Sequence, residues 1–113
     1  MEIVSQKISI AKLRDLAGKM FGSLVKAVVD VEKGIMAIDG ELHADEQALL
    51  LENGSKQENL WGINIYPDKT GEDFIEFDSV INIRPSQKNR SRGVENQEIK
   101  KKILEIVNKL IEK

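Results

Sequence analysis

The chain has 113 residues, a net charge of −2, 41% apolar and 32% charged residues, and no cysteine. That length fits one domain, 1–113, burying roughly 65% of its unfolded surface around one core. The near-neutral balance argues against a nucleic-acid or anionic-lipid partner, and the missing cysteine excludes disulfides, thiolate nucleophiles and thiolate metal sites.

No apolar run approaches the roughly 20 residues of a membrane span. Met1-Glu2-Ile3 opens no basic-then-apolar leader, so the expected location is cytoplasmic. Ser9 is placed to cap a first helix, with Ile8 and Leu13 as a hydrophobic staple. Ile10, Leu13, Ala17, Met20, Phe21 and Leu24 follow at helical spacing, and Gly22 is the expected stop.

From Val25 the pattern turns to strand, with Val25, Ala27, Val29 and Val31 alternating with Lys26, Val28, Asp30 and Glu32. Glu32-Lys33-Gly34 reads as a hairpin loop returning through Ile35 to Ile38, and Asp39-Gly40 as a turn or bulge. Residues 44–53 are rich in helix formers, and Gly54 suits a helix stop. Their apolar positions make no clean stripe and Asn53-Gly54 is a hairpin signal, so the reading leans to a strand.

Leu60 to Tyr66 reads as a strand with Trp61, Ile63 and Ile65 on its core face. After a turn at Pro67 to Gly71, Phe74 to Ile83 is the clearest strand of the chain. There Ile75, Phe77, Ile81 and Ile83 share one face, and Glu76, Asp78, Asn82 and Arg84 share the other. Ser86 to Gly93 is a polar loop. Asn96 caps a last helix with Ile99, Ile103, Ile106, Val107 and Leu110 as its stripe. The expected fold class is α+β: a mostly antiparallel, meander-like sheet with the N- and C-terminal helices packed on one face. Exposed strand edges predict a symmetric homodimer.

The uncovered face of such a sheet is polar. Its candidates are His43, Asp45, Asn64, Tyr66, Glu76, Asp78, Asn82 and Arg84. His43, the one histidine, is a general base, a metal ligand with Asp45, Glu76 and Asp78, or a surface or capping residue. The spacing matches no metal motif, and no metal or cofactor is assigned. Glu76 and Asp78 read as an acid and base pair or as surface charge.

Arg84, Lys88, Arg90 and Arg92, with Gly93 before a helix start, form a second candidate for a small anion or phosphate. The alternative is structural, with Arg84 paired to Glu76 or Asp78. Two functional classes remain: a small binding or interaction module, or a small enzyme acting on a phosphorylated or anionic molecule.

The quoted middle also resembles a known family. Glu41-Leu42-His43-Ala44-Asp45, Gly54-Ser55-Lys56-Gln57 with Trp61-Gly62, and Ile81-Asn82-Ile83-Arg84-Pro85 with Gln87, Asn89, Arg90 and Ser91 carry the likeness. They are similar to short prokaryotic proteins described only as domain of unknown function 5674. The likeness runs from about Val25 onward; it implies a single small domain and no catalytic roles.

Overall fold

A computed structural model describes residues 1–113. The Val25–Asp30 strand (β3) and the Ile35–Ile38 strand (β4) form the expected hairpin, closed by Gly34 at φ 69°. Glu2–Val4 (β1) pairs with β4, Leu60–Ile65 (β5) with β3, and Ile75–Glu76 (β6) with β5. The result is a five-stranded antiparallel sheet in the order β1-β4-β3-β5-β6. Both edges, β1 and β6, are short, which limits the open ladder a further strand could extend.

The helices bracketing the sequence form as their caps predict. The Ser9 hydroxyl accepts from Lys12 N–H and starts Ile10–Met20 (α1), which ends before Gly22 at φ 88°. Asn96 accepts from Glu98 and Ile99 N–H and starts Gln97–Leu110 (α3). Leu13, Leu16 and Ala17 of α1 and Ile103, Val107 and Leu110 of α3 pack on one sheet face. Beneath them lie Val25, Ala27, Val29, Met36, Ile38, Trp61, Ile63 and Ile65. A two-residue parallel ladder, Ile8–Ser9 (β2) with Ile111–Glu112 (β7), ties the starts and ends of these helices together. No helix is long and apolar enough to cross a membrane.

Two expectations are corrected. Residues 43–52 are a helix (α2, His43–Glu52), not a strand, and Gly54 at φ 92° ends it. The stripe was unreadable because the buried positions 43, 46 and 50 carry His, Glu and Leu rather than three apolar side chains. This helix covers the second sheet face, where Leu50 packs with Val28, Ala37 and Leu60, so β3 is buried on both sides.

The long strand from Phe74 to Ile83 is also not formed. Only Ile75 and Glu76 pair, and Val80–Asn82 is a single tight turn in which the Ile81 N–H donates to the Ser79 hydroxyl. Ile83 is exposed, and Ile81 packs against the α2 side.

Candidate functional site

The second sheet face is built around Gly62, in the middle of β5. An ideal Cβ there would lie 2.6 Å from Ser79 Cβ and 3.2 Å from His43 Cδ2. Only glycine lets the first residue of α2 and the segment after β6 close on the strand together. His43 is nine-tenths buried and its Nε2 is 2.8 Å from the Ile63 carbonyl oxygen. A carbonyl only accepts, so Nε2 carries the proton and Nδ1 keeps a lone pair. Burial holds the imidazole pKa below its ordinary value of 6.5, so the ring is neutral at pH 7.

His43 opens on a cavity of about 220 Å³. Its polar wall is Lys26 from β3, His43, Ser79 and Arg92. Its other wall is Leu42, Ala44, Val80 and Ile81. The N-terminus of α2 forms the back. The cap position is Leu42, whose side chain makes no capping hydrogen bond. Leucine is among the poorest capping residues, and the first N–H groups of a helix have no partner within it. The N–H groups of His43 and Ala44 therefore stand at a positive dipole end beside two cations.

Arg92 is fixed by Asp78, its Nε donating to Oδ1. That pairing raises the guanidinium pKa further. A larger hollow of about 420 Å³ lies between β6 and α3. Its charged side chains are Glu72 and Lys100, the latter stacked over Phe77 at 5.0 Å, and no buried polar group faces it.

The predicted site residues divide. His43, Asp78 and Arg92 are brought together around the small cavity, whereas Asp45 is exposed on α2 and lines a different hollow with Met1 and Glu52. Glu76 binds Asn64 Nδ2 at 2.8 Å and the Tyr66 hydroxyl at 3.1 Å, so it is an anchor for β5 rather than the partner of Asp78. No three acidic or histidine side chains gather as a metal site, and His43, Asp45, Glu76 and Asp78 are not assembled.

Asn82 is fully buried, not on a solvated face. Arg84 pairs with neither Glu76 nor Asp78. Its guanidinium donates to the Gln57 and Leu60 carbonyls and lies 4.1 Å from the centre of the Trp61 ring.

The basic segment is organised from within. The N–H groups of Arg90 and Ser91 both donate to the Glu95 carboxylate, at 2.7 and 2.9 Å, and these bonds depress the pKa of that carboxyl. These two main-chain N–H groups of the loop are thus engaged by the chain's own Glu95. Gly93 does not precede a free helix start, because α3 begins at Gln97 under the Asn96 cap. Lys88, at φ 60°, closes the turn after Pro85–Gln87.

Lys26, Leu42, Ser79 and Val80 were not singled out from the sequence. A usable signal existed for Leu42: a helix opening without Ser, Thr, Asp or Asn leaves N–H groups for something else.

The molecule is thus an α+β protein whose sheet is covered on both faces, with one polar pocket at an uncapped helix start. The chain belongs to the family described as protein of unknown function (DUF5674), whose model matches residues 2–110. No curated protein and no solved structure matches it.

Proposed function

We propose that this protein is a binding module for a small anion, held at the N-terminus of α2. The carrying observation is His43: nine-tenths buried, committed through Nε2 to Ile63, with no protein partner for Nδ1 at the pocket it lines. A solvent-accessible Nδ1 without a protein partner, next to the first N–H groups of α2, Lys26 and Arg92, is an arrangement suited to a small anion. Binding is favoured over catalysis because the neighbouring carboxylates are already engaged, Asp78 by Arg92 and Glu76 by Asn64 and Tyr66. The enzymatic alternative, action on a phosphorylated or anionic molecule, would use the same His43 nitrogen as its base.

Titration of labelled protein with inorganic phosphate, followed by NMR, tests the reading. Saturable shifts are expected at His43, Ala44 and Arg92, weakening as salt screens the charges, and lost in Arg92→Gln. Shifts confined to Arg84 to Arg90, or none at millimolar phosphate, overturn it.

A further inference from the structure

The two walls of the α2 pocket ask for different things from one ligand. Leu42 and Val80 are 56% and 63% exposed, and together with half-buried Ile81 they line the same small cavity as His43. An inorganic ion would leave these apolar side chains in water, while a ligand with an apolar end would cover them.

His43 adds a second requirement. With Nε2–H donated to Ile63, Nδ1 offers only a lone pair. A lone pair repels a fully ionised oxygen and accepts from an acidic O–H. Lys26, together with the guanidinium nitrogens of Arg92 not used in its bond to Asp78, favours a negative ligand.

We infer that the ligand is a phosphate monoester of a short apolar alcohol. Its phosphoryl oxygens meet the N–H groups of His43 and Ala44 and the Arg92 guanidinium. Its remaining P–OH donates to Nδ1 of His43, and its carbon chain lies on Leu42 and Val80. The inference rests on the anion-binding reading above and adds the ligand's O–H donor and its apolar end. Size agrees: 220 Å³ holds roughly seven groups at about 30 Å³ per water-sized group. A phosphoryl head and a few carbons fill that space.

The test compares inorganic phosphate, butyl phosphate and butyl sulfate by NMR titration near pH 6, close to the second ionisation of a monoester. Butyl sulfate matches the charge of the butyl phosphate monoanion and lacks its acidic proton. Butyl phosphate is expected to bind about fivefold or more tighter than inorganic phosphate, as burial of part of a short chain predicts. That advantage over inorganic phosphate should shrink in Leu42→Ala and Val80→Ala, which remove apolar surface without adding a capping oxygen at the start of α2.

Butyl sulfate should bind about fivefold or more weaker than butyl phosphate, reflecting the lost hydrogen bond. Equal affinities for phosphate and butyl phosphate overturn the apolar contact. Butyl sulfate as tight as butyl phosphate overturns proton acceptance by His43. Binding of none of the three overturns the anion-binding reading itself, and this inference with it.

Discussion

The side-chain amide of Asn82 pairs with both main-chain polar groups of Gly62, accepting from N–H at 2.8 Å and donating to the carbonyl at 3.0 Å. It does for β5 what a neighbouring strand residue would do, beyond the point where β6 stops. The same Nδ2 donates to the Arg92 carbonyl, and Asn89 Nδ2 donates in turn to the Asn82 carbonyl. One edge of the sheet is thus finished by asparagine side chains, and the finish holds Ser79 and Arg92 at the pocket.

Asn82→Ala is expected to cost about 3 kcal/mol, because it strands two buried main-chain groups of Gly62 without partners. Chemical denaturation measures this. A loss below about 0.5 kcal/mol, the scale of an ordinary surface change, contradicts the role.

Gly62→Ala should destabilise by about 2–3 kcal/mol through overpacking against Ser79 and His43. The double variant Gly62→Ala with Ser79→Gly, which removes the Cβ at 2.6 Å, should regain part of that loss. A strictly additive cycle shows that the close approach is not the cause.

Glu46 is fully buried, with Oε2 accepting from Gly40 N–H at 2.8 Å and Oε1 unpartnered. Desolvation pushes its pKa up to about 9. The folded state thus holds a proton that the unfolded chain releases near 4.5. Stability from this group is full below that value and declines as pH rises toward 9. Glu46→Gln should remove the decline and stabilise the protein by on the order of 2 kcal/mol at pH 8. Unchanged stability across pH 5–8 in both proteins disproves a neutral Glu46.

His43 works in the opposite sense. Its folded pKa is depressed, chiefly by burial, with Lys26 and Arg92 lowering it and the Ile63 carbonyl and Asp78 raising it. Glu46, one helical turn away, is uncharged at neutral pH. The stabilising contribution is therefore present above the unfolded value near 6.5 and lost as pH falls through the folded one. Imidazole NMR should show the Nε2–H tautomer persisting below pH 6.5. A protonated ring at pH 7 without ligand refutes the assignment.

Arg84→Lys should destabilise by about 1–2 kcal/mol, since an ammonium cannot reach two carbonyls and stack on Trp61 at once. Phosphate affinity should stay unchanged. A selective loss of affinity with full stability would return Arg84 to the binding surface.

How far the sequence discloses this molecule depends on where each hydrogen bond goes. Ser9 and Asn96 announce helices because a capping side chain acts within three residues. The β3–β4 hairpin is equally local. Helix α2 stays hidden because its inward positions carry His43 and Glu46, whose partners lie outside the helix, Ile63 on β5 and Gly40 in the loop before α2. The alternation from Phe74 to Ile83 misleads because Asn82 replaces a main-chain ladder with a side-chain one. His43 stands out as the one histidine, but its tautomer is decided by a carbonyl twenty residues away. Lys26 reads as an outward strand residue until α2 is known to roof that face.

The parallel pairing of Ile8 with Ile111 and Ser9 with Glu112 makes the two ends of the sequence interdependent. Ser9, which starts α1, is held by residues that follow α3 directly. Fraying at Ile111 releases the cap of α1, and fraying at Ile8 releases the stop of α3. Amide hydrogen exchange should therefore report the two helices opening as one cooperative unit, although residues 21–96 lie between them.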